Sequence, residues 1–244
     1  MSEIKLNTAL MTDKEIIGQI GRRSGTVVYA VKSTKSDHSY VLKHISVPES
    51  QKQVSALIFS GAAANEEAAQ EYYQNVVSDY REELELLESL STSPNLSCFH
   101  SYEIKPKTEG VGFDVFLLAE DRTTLEKHLQ CSQITQVSAV NLAMDLCSAL
   151  NDLRSAGLIH RDVKPSNIFL NNQGHFMLGD MGIARIDQLK YCSMPESMLS
   201  PYPAPELFDL MANVNVTIDL YSIGLILYRI YNGNHAPFED EKTS

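Results

Sequence analysis

The chain has 244 residues, 43% of them hydrophobic, with 20 Lys and Arg against 31 Asp and Glu for a net charge of −11. That length and apolar share exclude a disordered polypeptide and suffice for one large domain or two lobes. The acidic balance excludes broad binding to nucleic acid or an anionic membrane, which needs concentrated Lys and Arg, so an anionic ligand would require a local cationic pocket.

The opening "MSEIKLNTALMTDKE" has no basic start followed by an apolar stretch and does not read as a secretory signal. The first predicted elements are two strands, Gly25 to Val31 and Ser39 to Ile45, paired around the polar turn "KSTKSDH". Alternation puts Val41 and Lys43 on one face of the second strand and Leu42 and His44 on the other. A lysine on an inward face requires a partner.

An Ala/Glu-rich helix follows, placed around 66–90 and ending near "STSPN". Glu83, Leu87 and Leu90 recur at i, i+4 and i+7, so Glu83 shares a stripe with inward leucines. For any one Glu of an acidic helix a solvated face is the default reading, and Lys43 is the candidate partner that overturns it. Two more strands, Glu103 to Ile104 and Phe113 to Leu118, flank a Gly-containing turn, and a polar connector at 119–123 marks a lobe boundary.

Beyond it, "TQVSAVNLAMDLCSALNDLRSAG" is a helix with Ala143, Leu146, Leu150 and Leu153 on one stripe and Gly157 at its C-terminal cap. Short strands are expected at "IFL" and "HFMLGD" around the turn "NNQG", and a helix at Asp219 to Tyr231. The longest apolar run, "YSIGLILYRIY", is too short to span a bilayer and contains Arg229. Cys98, Cys131, Cys147 and Cys192 lack metal-ligand or disulfide spacing and read as reduced thiols of a cytoplasmic protein.

The chemistry concentrates in "HRDVKPSN" (160–167) and "DMG" (180–182). His160-Arg161-Asp162, Asn167 five residues after Asp162, and Asp180-Met181-Gly182 form one pattern that resembles the catalytic core of the protein kinase family, H-R-D-L-x-x-x-N followed by D-F-G. Lys164 resembles the serine/threonine branch, and Ala204-Pro205-Glu206 matches the family's A-P-E. The resemblance spans about Ile16 to Glu239 and implies an α+β, two-lobed fold: a small antiparallel β lobe with one long helix over 1–118, and a mainly helical lobe over 119–244. It also implies an ATP- and Mg²⁺-dependent transfer of the γ-phosphoryl group to Ser or Thr of protein substrates.

Such a transfer demands positioning and charge neutralisation. The resemblance makes Asp162 the residue that orients the substrate hydroxyl, Lys164 the holder of the transferring phosphate, and Asn167 and Asp180 the hard oxygen ligands of the metal. It assigns nucleotide contacts to Gly21, Gly25 and Val27 of the glycine loop, Val41, Lys43 with Glu83, Glu120, Phe169 under the adenine, and Asp180. The loop departs from G-x-G-x-x-G-x-V: only Gly21 and Gly25 remain, Arg23 stands near the middle glycine position, and the loop is one residue short. Arg22 or Arg23 would supply side-chain charge in place of backbone amides.

Arg161 resembles the arginine that pairs with a phosphorylated activation-loop residue, here Ser193, Ser197 or Ser200; binding a carbonyl or carboxylate is the structural alternative. Asp219 would hold the catalytic loop from below; capping its own helix is the structural alternative, and the two are compatible. Past "APF" the family's further helices have no counterpart, which points to truncation, a partner or self-association over the Asp219–Tyr231 helix. The departures suggest a bacterial, eukaryotic-like member. A pseudokinase or kinase fragment acting as a scaffold is the main rival, and a small-molecule kinase lacks the "RDVKP" and A-P-E signatures.

Overall fold

The computed structural model describes residues 6, 8–23, 25–180, 202–208 and 215–237. Two compact units result, one over Met1–Glu85 and Phe99–Asp121, the other over Leu86–Cys98 and Arg122–Ser244.

In the first unit, β1 (Lys14–Arg23), β2 (Thr26–Ser33), β3 (Ser39–Val47), β5 (Ser101–Pro106) and β6 (Phe113–Glu120) form an antiparallel sheet in the order β1-β2-β3-β6-β5. Strands β2 and β3 are the expected pair, with Val28 opposite Lys43 and Ala30 opposite Val41. Strand β1 carries no alternating pattern, and the pairing shows why. Its register shifts between Ile16 and Gly18 and again between Gln19 and Gly21. Ile17 and Ile20 fall at these bulges and stand 54% and 60% exposed. Bulges break the two-residue period and also blunt an edge strand against further pairing.

Alternation divides the sheet into two chemically distinct faces. On one, Tyr29, Val31, Leu42, Phe116 and Leu118 are buried together, and Leu6, Leu10, Met11, Ile16, Val27 and Tyr40 pack against them. Val28, Ala30, Val41, Lys43, Leu117 and Ala119 alternate with that set and take the opposite face. His44, on the first face, stacks on Phe116 at 4.6 Å between ring centroids. Its Nε2–H donates to Asp114 Oδ1 at 2.8 Å, and Ser46 Oγ donates to the same oxygen at 3.3 Å.

Two helices sit between β3 and β5. The first, α1 (Gln51–Phe59), buries only Val54, so no apolar stripe announces it in the sequence. The second, α2 (Glu66–Ser89), starts where Asn65 Oδ1 accepts from Ala68 N at 2.9 Å, with Glu66 and Glu67 favourably placed against the helix dipole. Its inward stripe is Ala69, Tyr73, Val76, Val77, Tyr80, Leu84 and Leu87. Gln70 Oε1 ties α2 to the β5–β6 turn by accepting from Gly112 N at 2.6 Å.

The second unit holds a small sheet in the order β4-β8-β7: β4 (Leu96–Ser97), β7 (Ile168–Leu170) and β8 (Phe176–Gly179). Around it lie α3 (Leu125–Cys131), capped by Thr124, α4 (Gln136–Ser155), capped by Thr135, and α5 (Thr217–Tyr231). Leu142, Leu146, Leu150 and Leu153 are the buried side of α4, which packs on β8 and α5. Gly157, at φ +76°, follows its end, where only glycine adopts the left-handed turn without steric cost.

A single cut between 118 and 119 does not describe this division, because residues 86–98 belong to the second unit. Leu178 N bonds Asn95 O at 2.8 Å, Asn95 Nδ2 donates to Phe176 O at 3.3 Å, and Ser93 Oγ donates to Asp152 at 2.5 Å. Two residues of strand and a few polar bonds left no legible pattern.

Burial alone would raise the Asp114 carboxyl, but the His44 hydrogen bond and charge, with Lys107 and Ser46, hold it below its ordinary value. A depressed carboxyl contributes stability that is complete above its unfolded value of about 4 and is lost as pH falls through the lower folded value. Asp114→Asn is expected to flatten that acid limb in urea midpoints measured against pH, with the other limbs unchanged.

Candidate active site

The site begins with a carboxylate that the sequence places far from the loop it controls. Asp219 lies in the first turn of α5 and is 1% exposed. Its Oδ2 accepts from His160 N at 2.9 Å and its Oδ1 from Arg161 N at 2.7 Å. Both oxygens therefore hold the backbone of the 158–164 loop, and the helix-capping alternative falls away. Burial pushes the Asp219 carboxyl up, opposed by His160, by the two backbone donors and by Arg161.

That grip supports a turn the chain would otherwise resist. Arg161 has φ +67°, in the left-handed region that side chains with a Cβ rarely adopt. His160, also buried, donates from Nε2 to Gly179 O at 2.9 Å and accepts at Nδ1 from Asp162 N at 3.3 Å. One imidazole thus ties the loop both to its own next residue and to the end of β8.

The turn delivers three predicted residues to one place. Lys164 Nζ lies 2.6 Å from Asp162 Oδ2, and Asn167 Nδ2 donates to that oxygen at 3.1 Å and to Asp162 O at 2.8 Å. Asn167 is 3% exposed, on a short 3-10 turn, Pro165–Asn167, that leads directly into β7. Because its amide nitrogen is engaged by Asp162, Asn167 is oriented with Oδ1 as its remaining ligand atom. Asp180 follows β8 with φ +65°, half-buried.

Phe169, on β7, lies beside Gly179, where an added Cβ would come within 2.9 Å of its ring and 2.8 Å of Ser97 O. Glycine is therefore required where β8 passes between β4 and β7. Met181 and Gly182 of the second motif, and Ser193, Ser197 and Ser200, lie outside the described residues. Ala204, Pro205 and Glu206 are described, and Ala204 is fully buried. The segment before them is held to α5 by Ser222 Oγ, which donates to Tyr202 O at 2.8 Å, and by Arg229 over the Tyr202 ring at 5.3 Å.

In the first unit Val41 and Lys43 share a sheet face, as expected, and Glu120 pairs with Tyr40 at the end of β6. Glu83 is half-buried beside the fully buried Leu84. Val27 requires a correction: it stands opposite His44 and packs into the Tyr29–Leu42–Phe116 cluster, away from the Lys43 face. The valine on the Lys43 face is Val28. One residue of error in register moves a strand side chain to the wrong side of the sheet.

The two glycines also separate. An added Cβ on Gly21 meets only Val28, at an ordinary 3.6 Å, so the fold itself does not require glycine there. Gly25 is required, having φ +75° and Glu49 where a Cβ would reach within 2.8 Å. Its steric reason is the chain's own Glu49, a packing role that the sequence did not reveal.

Residues 14–244 match the protein kinase domain. The chain belongs to the protein kinase family. The kinase domain is 30% identical over 165 residues to the probable serine/threonine-protein kinase PknB of Corynebacterium glutamicum, covering 66% of this chain and 25% of that protein. It is 32% identical over 154 residues to the serine/threonine-protein kinase RUNKEL of Arabidopsis thaliana, covering 62% and 11%. Serine/threonine-protein kinase 32C of Mus musculus is 32% identical over 156 residues, covering 62% and 31%. The chain thus spans less than a third of the length of these relatives.

Membership implies use of ATP and a divalent cation in general terms. Among the described residues no group of three His, Cys, Asp or Glu forms a metal cage. Two hard oxygen donors, Asn167 Oδ1 and the Asp180 carboxylate, suit instead a cation that arrives with phosphate oxygens completing its shell. The donor set fits that group.

Removing the Asp219 carboxylate leaves two buried loop amides without acceptors. Asp219→Ala is expected to lower unfolding stability by about 3 kcal/mol and to speed amide exchange at His160 and Arg161 before other positions. Urea titration and site-resolved exchange measure both; unchanged exchange at these two amides would contradict the role given to the carboxylate.

Proposed function

We propose that the chain transfers the γ-phosphoryl group of ATP, with Mg²⁺, to Ser or Thr hydroxyls of protein substrates in the cytoplasm. The observation that carries this reading is the Asp162 carboxylate, fixed by Lys164 and Asn167 on a turn that Asp219 pins. A positioned carboxylate accepts the substrate hydroxyl's proton as the oxygen attacks phosphorus, while the adjacent ammonium of Lys164 steadies the equatorial oxygens. Asn167 and Asp180 hold the metal, which supplies charge neutralisation between the phosphates when bound.

From the first unit, Lys43 takes the α- and β-phosphates with Glu83 as its orienting partner, and Val28, Val41 and Glu120 contact the base and sugar. Phe169 supplies the apolar surface beneath the adenine. Gly21, which the sheet does not need as glycine, gives close backbone approach to phosphate. The Corynebacterium relative supports a bacterial setting, alongside plant and mammalian relatives of similar identity. No helix among the described residues is long and apolar enough to cross a membrane. Exposed Leu220, Tyr221, Tyr228 and Tyr231 on α5 support a covering partner or second copy on that helix.

Incubation with ATP, Mg²⁺ and a generic protein substrate is expected to give transfer that chelation abolishes. Asp162→Asn and Asp180→Asn are each expected to reduce the rate about 100-fold or more while the chain stays folded. Negligible transfer by wild type and variants alike would sink the enzymatic reading.

The corrected register makes a sharper demand. Val28→Ala is expected to raise KM for ATP about fivefold by removing apolar contact, whereas Val27→Ala lowers stability and leaves KM in place. Equal effects of the two on KM would return the assignment to the sequence pattern.

A further inference from the structure

The face of the sheet opposite Lys43 is closed by the beginning of the chain. Leu6, Leu10 and Met11 pack on Tyr29, Val31, Leu42, Phe116 and Leu118. Residues Ala9–Met11 form a single 3-10 turn, too short to hold itself without outside contacts. Thr8 starts the turn by accepting from Leu10 N at 3.2 Å.

The polar attachment of this segment converges on one atom. Thr8 Oγ1 donates to Glu103 Oε2, and Ala9 N donates to the same oxygen at 2.8 Å. Glu103 projects from β5, with Lys105 Nζ 3.8 Å from its other oxygen. Burial would raise the Glu103 carboxyl, yet the Thr8 and Ala9 donors and Lys105 hold it below the ordinary value. The carboxylate is thus the acceptor on which the closed arrangement rests.

We propose that Leu6 and Thr8 to Met11 belong to a detachable strap, latched at Glu103, which a negative charge placed on Thr8 releases, and whose release loosens β3 beside Lys43. The physical basis is local. A hydroxyl that donates to a carboxylate is replaced by an anion facing that carboxylate, so attraction becomes repulsion and the Ala9 bond to the same oxygen is lost with it. The three apolar strap residues are only half-buried, and what they give up is modest.

Coupling to β3 follows from sequence adjacency and alternation. Leu42, 0% exposed, lies within the cluster the strap covers, and Lys43 is the next residue, on the other face. Removing the strap uncovers the packing that fixes Leu42, and the backbone of Lys43 shares whatever freedom results. This inference stands apart from phosphoryl transfer, and its test needs neither nucleotide nor turnover.

Amide hydrogen exchange on the whole chain decides it, comparing wild type with Thr8→Ser, Thr8→Val and Thr8→Glu. Serine keeps the donor and is expected to match wild type. Valine is expected to speed exchange at Ala9, Met11 and Thr12 about tenfold, and glutamate further, with a smaller increase over Leu42 to Ile45 and none in α4. Combining Thr8→Glu with Glu103→Lys restores an attraction with its direction reversed and is expected to bring protection back at Met11 and Thr12, while Ala9, whose acceptor a lysine cannot replace, stays fast. The proposal is overturned by unchanged exchange at Ala9 and Met11, by equal acceleration in α4, or by failure of the charge-swapped pair to rescue. Acceleration confined to the strap would overturn its coupling to Lys43.

Discussion

The turn of the 158–164 loop is held by a carboxylate some sixty positions further along the chain, Asp219, whose two oxygens accept from His160 N and Arg161 N. Buried backbone amides need acceptors, and here the acceptor is charged and fixed in the first turn of a packed helix. It compensates a left-handed Arg161 and allows consecutive residues to leave the turn in different directions. Asp162 can then face Lys164 and Asn167 while His160 turns inward to Gly179. A loop held only by its own local bonds would lack that division of labour.

The sheet of the first unit follows a different rule. Each strand has two faces, and everything assigned to one face is unavailable to the other. Leu42 is completely buried among aromatic and branched side chains, which forces Val41 and Lys43 outward from that cluster together. His44 then lands on the Leu42 side, where Phe116 and Asp114 receive it. The same parity puts Val28, and not Val27, on the face that carries Lys43.

Spacing and alternation made much of this legible. The β2–β3 pair, the long α2, the leucine stripe of α4 with Gly157 after it, and the grouping of Asp162, Lys164 and Asn167 are all visible in residue order, because each rests on a period or a short fixed interval. What escaped had no such signature. Strand β1 is masked by two bulges, α1 buries a single residue, and β4 is two residues held by Asn95. Thr124 caps α3 directly after what reads as a polar connector. Glu49 against Gly25 and Glu103 against Thr8 are contacts between distant segments, and no local pattern encodes them.

Those distant contacts bear on how an acidic chain can hold an anion. With a net charge of −11, the long-range field repels phosphate, and screening beyond about 8 Å at physiological salt removes most of that repulsion. Affinity must then come from groups held close and pre-oriented, where a fixed ammonium or amide acts at short range in a partly desolvated setting. Lys164 is held in this way by Asp162, and the loop beneath both is fixed by the chain's own Asp219. Where flexible surface charge would have supplied attraction at a distance, this chain uses placement, so the rigidity of the Asp219-bound turn is itself part of the electrostatics.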